Sequence, residues 1–420
     1  MEKDISVGKP SSLWRNRDYL LLWLGQAVSS LGTGISQLAL SLLILAIPPH
    51  SPASAGFALA LGQIPFVLFG LPAGAFLDRW DRKRVMIVCT IGLTLCLASI
   101  PVALAIGHLT IMQLYIVAFV SGTLTVFYQL AEIASLTWLV SKGQLTTAVA
   151  QNEVVYSTVS LIAPSISTLL FRVGQMLPFV ADTISYLVML GSLFNIHAPL
   201  QEKRDVQASR HLLHEVREGI YWLWSHPVVR PLALLSAYLY VLLSGSVLIV
   251  LVIAQQHGIP TVITGLILVA GGVGNLIGTA LYTLFQRRLR FGWALSGLIV
   301  LYVLLWPFYG LAITPIFLGL VGASLALTDS IYSILAASFR LAVVPDELQA
   351  RVGSVVRLIS FGSLALGQAI IGLLLQRFGV LATVGVLWVG LLLGSIFTLK
   401  NRHLRETIHP QETTVTTPTP

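Results

Sequence analysis

Long apolar runs separated by short polar breaks make up most of the chain. Runs of roughly 18 residues or more are what a bilayer crossing requires. Twelve fall at about 20–46, 54–77, 85–106, 109–138, 148–171, 177–197, 231–256, 260–286, 291–311, 314–339, 352–376 and 379–399. The pattern predicts an all-α polytopic membrane protein with twelve transmembrane helices. The first run follows Trp14-Arg15-Asn16-Arg17-Asp18, exceeds a signal-peptide core in length and lacks a small-residue cleavage site, so it is expected to be retained. Residues 401–420, ending Thr-Thr-Val-Thr-Thr-Pro-Thr-Pro, lack apolar content and read as a disordered tail.

The longest break lies at about 198–230. Within it Leu212, Leu213, Val216, Ile220, Leu223 and Trp224 recur at three- and four-residue intervals opposite Arg210, His214, Arg217 and Glu218. That spacing predicts an amphipathic helix suited to a membrane surface. Sliding the chain by about 204 residues places Gly74 over Gly278, Leu145 near Leu348, and Arg172 close to Arg377. The repeat divides the chain into a six-helix bundle over 1–200, a linker over 201–230, a second six-helix bundle over 231–400 and the tail over 401–420.

Charge sets the expected orientation. With the N-terminus inside, all basic residues except Arg172 and Arg377 fall on the cytoplasmic side, where Lys and Arg accumulate. Both termini are then expected to be cytoplasmic in a multi-pass protein of the cell (inner) membrane. The same bias explains the net charge of +8, so it gives no reason to expect nucleic-acid binding. With 56% hydrophobic and 10% charged residues and a mean hydropathy of +0.85, the chain lies far from soluble proteins. Cys89 and Cys96 read as packing residues, the nine histidines are scattered, and no phosphate-binding Gly-rich loop occurs. No enzyme, metal site or cofactor is expected, and a monomer is.

Polar residues inside apolar spans mark a path, because they are costly facing lipid. Span 1 carries Gln26, Ser29, Ser30, Thr33 and Gln37. Span 4 carries Ser121, Thr125, Gln129 and Glu132, with Phe127 and Tyr128 alongside; span 7 has Ser236, Tyr240 and Ser244; span 10 has Ser324, Thr328 and Tyr332, with Asp329 adjacent. Each set keeps a helical rhythm and so lies along one face. The intramembrane carboxylates Glu132, Asp329 and Asp182 are candidates for carrying protons, with Glu132 first because it continues the span 4 stripe; Glu153 lies near the inner end of span 5.

The segment Gly74-x-x-x-Asp78-Arg79-x-x-Arg82-Lys83 resembles the loop 2-3 signature of the major facilitator superfamily. Trp14 to Tyr19, the run from Leu24-Gly25-Gln26 to Ser30, and Val344 to Gly353 resemble its macrolide-efflux and siderophore-exporter-like branch. The likeness covers residues 13–400. It implies the 6+6 pseudo-symmetric fold, with spans 1, 4, 7 and 10 lining a central cavity. It also implies a gating latch in which Asp78 joins the two halves on the cytoplasmic side. The contact expected here is between Asp78 and the start of span 11, where Asp346 to Gln349 reads as a capping box followed by Arg351. Two departures stand out: Asp81 replaces a customary Gly, and Tyr282 lies over Asp78 in the second half. In span 5 the branch's Gly-Pro motif is replaced by Ala163-Pro164-Ser165, where Pro164 is expected to bend the helix.

The function expected is proton-coupled efflux of amphipathic small molecules by alternating access, with Phe127, Tyr128, Tyr240 and Tyr332 against apolar parts of the substrate. Uptake or flipping of a lipid-like solute, and a non-transporting membrane sensor or assembly factor, are the alternatives.

Overall fold

The computed structural model describes residues 13–48, 50–77, 80–198, 200, 212–285, 291–312 and 314–401. All regular structure among them is helical, as expected where lipid cannot satisfy backbone groups and each segment must bond internally. The first half holds α1 (Arg17–Ala46), α2 (Pro52–Leu77), α3 (Arg82–Ala105), α4 (Ile111–Leu139), α5 (Leu145–Val173) and α6 (Leu177–Asn195). After α7 (Leu212–Ser225) come α8 (Val229–Leu243), α9 (Ser246–Gln256), α10 (Thr261–Phe285), α11 (Phe291–Leu305), α12 (Phe308–Leu311), α13 (Pro315–Val343) and α14 (Asp346–Lys400).

These elements supply twelve crossings, three of them altered by local chemistry. Span 7 breaks into α8 and α9 at Gly245, where Ile371 packs so closely that a Cβ would collide with it. Span 9 breaks into α11 and α12 at Pro307. Spans 11 and 12 run together as α14, interrupted at Gly379, whose φ of 73° suits glycine. Helix starts are set by side-chain caps: Asn16 accepts from the Tyr19 N–H, Thr110 from Gln113 and Thr314 from Phe317.

Bare apolar faces mark the lipid contact. Along α3, Val88, Ile91, Leu95 and Val102 are exposed at three-, four- and seven-residue spacing, Leu95 by 67%. An exposed stripe of this kind belongs against hydrocarbon.

The first bundle packs α1 on α5 and α6, α2 on α4, and α3 on α4 and α6; the second packs α10 on α13, α8 on α14, and α11 on α13 and α14. Two seams join them, α2 with the first part of α14, and α5 with α10. The 204-residue offset exchanges these seams, so they are related by the internal repeat. The chain alternates between a basic face, carrying the α2–α3 loop, α7 and the start of α14, and an opposite face carrying the α1–α2 and α9–α10 loops.

The linker helix forms where its periodicity placed it. It docks on α14, with Gly219 against the Arg351 backbone and Leu223 buried, while Ile220, Tyr221 and Trp224 remain exposed.

Candidate functional site

The first bundle encloses a cavity of about 340 Å³. Gln26, Ser30, Thr33 and Gln37 line it from α1, and Tyr128 and Gln129 from α4. Their polar groups are knitted together: the Tyr128 hydroxyl donates to Gln26 Oε1 at 2.9 Å, the Gln26 amide donates to Ser30 and Tyr156 at 3.4 Å, and Thr33 and Tyr186 share a bond of 2.8 Å. Asp182 also lines this cavity. It accepts hydrogen bonds from Ser36 of α1 and, at 3.1 Å, from Ser185. Gly32 gives it room, since a Cβ there would meet the carboxyl oxygen at 2.5 Å.

Glu132 sits differently. Only 5% exposed, it has no hydrogen bond or ion pair among the described residues, with Tyr128 and Tyr156 in electrostatic range. The residues lining the cavity include Asp182 but not Glu132. Phe127 also points elsewhere: it joins Phe69 and Trp80 at ring separations of 6.3 and 6.4 Å, because the turn of α4 that directs Tyr128 inward carries its neighbour toward α2.

The second bundle has a cavity of about 400 Å³. Tyr240, Ser244 and Tyr332 line it, together with Asp329, whose side chain opens into the space while accepting a 2.9 Å bond from Tyr302. Tyr332 shares a bond of 2.8 Å with Ser236. Thr328 does not face the cavity; it is fully buried and its hydroxyl donates to the Ser324 carbonyl one turn back. Tyr302, Trp306, Tyr309 and Asn275 complete the lining. Their signal in the sequence is the seven-residue spacing of Tyr302 and Tyr309; Tyr186, four residues after Asp182, was readable in the same way.

The halves touch along the part of each seam nearer the opposite face. Gly56 crosses Gly372 so closely that a Cβ on Gly56 would lie 2.5 Å from the Gln368 carbonyl. Across the other seam, Gly265 lies against Thr168 and the Pro164 carbonyl, and α5 runs on through Pro164. Gln255 adds a 3.4 Å bond to the Leu45 carbonyl. Midway, Phe66 stacks on Phe361 at 4.4 Å. Below this pair a cavity of about 260 Å³ separates the halves toward the basic face, between Gly70, Leu130 and Ile133 on one side and Ser354 and Arg357 on the other. It shares Phe66 and Gln129 with the first-bundle cavity, which it adjoins on the side toward the basic face.

The expected latch falls partly outside the described residues. Asp78 and Arg79 lie outside the described residues, and open space surrounds Gly74. Arg82 donates to the Ala134 carbonyl at 2.9 Å and Lys83 to the Ile196 carbonyl at 2.7 Å. Lys83 thus ties the end of α6, where carbonyls past the last turn attract cations, and Arg82 reaches the side of α4 in the same bundle. Asp81 is the N-cap of α3, accepting from the Arg84 N–H. At α14 no capping box forms: Pro345 is the N-cap, Asp346 is the first helical residue, and Gln349 bonds the Asp346 carboxylate at 2.8 Å. Arg351 pairs with Glu218 of α7 at 2.5 Å.

The transmembrane secretion effector profile matches residues 10–417. The chain belongs to this family of major facilitator transporters. It is 24% identical over 375 residues to macrolide efflux protein A of Streptococcus pyogenes, covering 87% of this chain and 91% of that protein. It is 24% identical over 405 residues to the multidrug efflux pump Tap of Mycolicibacterium fortuitum, covering 92% and 96%. Among solved structures, the nucleoside transporter NupG superposes with a TM-score of 0.74 at 14% identity, over 93% of this chain and 99% of that one. The protein is thus a multi-pass membrane transporter of the major facilitator fold and not an enzyme, in a family whose relatives include efflux proteins.

Proposed function

We propose that this transporter exports amphipathic small molecules in exchange for protons, and that the state described here receives substrate from the cytoplasm. The observation that carries the reading is Asp329, an intramembrane carboxylate open to a cavity walled by Tyr240, Tyr302, Trp306 and Tyr332. Ionisable groups at such depth are costly unless they serve ion or substrate passage, and tyrosine and tryptophan rings offer apolar surface with a polar edge. The macrolide and multidrug efflux relatives support the same direction of transport. The positive-inside bias supports a cytoplasmic basic face, with both termini on that side of the cell (inner) membrane. Asp182 and Glu132 serve the first bundle, Asp182 from the cavity wall and Glu132 from behind Tyr128. The protein works as a monomer, each chain having both halves of the path.

Accumulation of macrolides and amphipathic dyes, measured in cells with and without the protein, tests this reading. Efflux is expected to stop with a protonophore and with Asp329→Asn, and to weaken with Glu132→Gln. Efflux that survives both neutralisations and collapse of the proton gradient would overturn it.

A further inference from the structure

Two arginines with no role in the foregoing converge at the basic-face end of the second bundle. Arg340, in the last turn of α13, and Arg357, in the early turns of α14, line one cavity of about 630 Å³. Tyr240, Gln349 and Ser360 add polar groups to the wall, and no carboxylate is among the lining residues.

Neither guanidinium has a hydrogen bond or an ion pair among the described residues; Arg15, Arg17 and Arg217 lack them as well, but Arg340 and Arg357 share one cavity. Arg82 and Lys83 reach carbonyls, Arg84 reaches Asp81, Arg351 reaches Glu218, and Arg230 lies 5.5 Å over the Trp224 ring. The positive-inside bias accounts for arginines on this face. It does not account for two of them turned into one cavity without an acceptor, an arrangement that like-charge repulsion opposes.

The location narrows the occupant. The cavity shares Tyr240 and Leu364 with the Asp329 cavity, and Arg357 and Phe361 with the gap between the halves. It therefore lies on the route from the basic face to Asp329. We propose that Arg340 and Arg357 form a subsite for an anionic group, a carboxylate or a phosphate monoester, carried by the transported amphiphile. The inference rests on the exporter reading and adds a substrate class to it, molecules with an apolar body and an acidic head. Guanidinium forks match the paired oxygens of such groups, and the Tyr240 hydroxyl supplies a further donor.

Thermal unfolding of the purified full chain in lipid-free detergent, titrated with dodecyl phosphate and separately with dodecanol, tests the subsite. Dodecyl phosphate is expected to stabilise the protein. Arg340→Gln or Arg357→Gln should weaken its apparent affinity by about tenfold, as loss of a charge-assisted contact does. Arg340→Lys and Arg357→Lys should restore part of the loss, and the response to dodecanol should be the same in every variant. Unchanged dodecyl phosphate binding in the doubly substituted protein would overturn the proposal, and so would an equal loss for dodecanol, which marks a packing defect. Stabilisation by phosphatidylglycerol nanodiscs, with no response to dodecyl phosphate in detergent, would also overturn it and assign the pair to a lipid headgroup. Because the titration needs no transport, failure of the proton-gradient assay would remove the exporter reading and leave this result standing.

Discussion

The Tyr302 hydroxyl donates a hydrogen bond of 2.9 Å to Asp329, the carboxylate that opens into the second-bundle cavity. α11 and α13 thus meet through a polar bond at the point where the proposed substrate and proton share space. Asp329→Asn keeps the shape and removes the ionisable group, so gradient-driven efflux is expected to fall below detection. Tyr302→Phe removes only the positioning bond and should slow efflux by about tenfold, the size of one bond to a charged group. Initial efflux rates from energised cells would check both.

The Gly56–Gly372 crossing is expected to hold the opposite face shut. A Cβ on Gly372 would lie 2.8 Å from the Pro52 carbonyl, so Gly372→Val must part the backbones. A cysteine placed at Ala53 should then react with a membrane-impermeant maleimide several-fold faster than with the native glycine in place. Equal rates would show that the seam does not control access.

Glu218 and Arg351 pair at 2.5 Å with side chains 40% and 33% exposed, so their attraction is strongly screened. A double-mutant cycle in chemical unfolding should give a coupling of about 0.5 kcal/mol. Gly219→Val acts on the same docking through packing, because its Cβ would meet the Arg351 carbonyl at 2.8 Å. It should cost about 1–3 kcal/mol, more than either charge removal.

Asp81 departs from the glycine customary at its position, and its role as N-cap predicts an asymmetry between substitutions. Asp81→Ala should destabilise by about 1 kcal/mol and Asp81→Gly by only a few tenths, since glycine is itself tolerated at helix starts. Thermal unfolding of the two variants in one detergent would compare them.

His226 closes the turn between α7 and α8 by accepting at Nδ1 from the Val228 and Val229 N–H groups at 3.3 and 3.1 Å. Burial pushes this imidazole below its ordinary value of 6.5. The unfolded chain therefore binds the proton more readily than the folded one. The stabilisation is present above about pH 6.5 and is lost as pH falls through the depressed folded value. Amide exchange at residues 228 and 229 should accelerate on acidification beyond its intrinsic pH dependence, and His226→Asn should flatten that response.

Much of this architecture was legible because lipid imposes a length on apolar runs, and all twelve crossings appear where those runs lie. The stripe of span 1 reached its cavity as read, since a helix fixes which residues share a face. What escaped depends on partners distant in sequence. The close approach of Ile371 to Gly245 is one such contact, which the residues around Gly245 do not announce. Asp182 was readable as a residue that bonds a neighbouring helix, but its place on the cavity wall depends on how α6 packs against α1. Arg82 and Lys83 read as parts of a bridge between halves because their motif is local, whereas the carbonyls they reach belong to α4 and to the end of α6. Arg340 and Arg357 read as topological charges, since the lack of an acceptor is a property of three dimensions only.

The Gly56–Gly372 crossing is a contact of main chain with main chain. Attraction of that kind extends hardly beyond touching distance, so a separation of an ångström or two forfeits most of it. A seam built this way has no half-closed setting: it adheres or it releases. Because the internal repeat supplies a second seam, where Gly265 meets Thr168 and the Pro164 carbonyl, letting go at one leaves the other carrying the whole load, and the pair is expected to part in a single event.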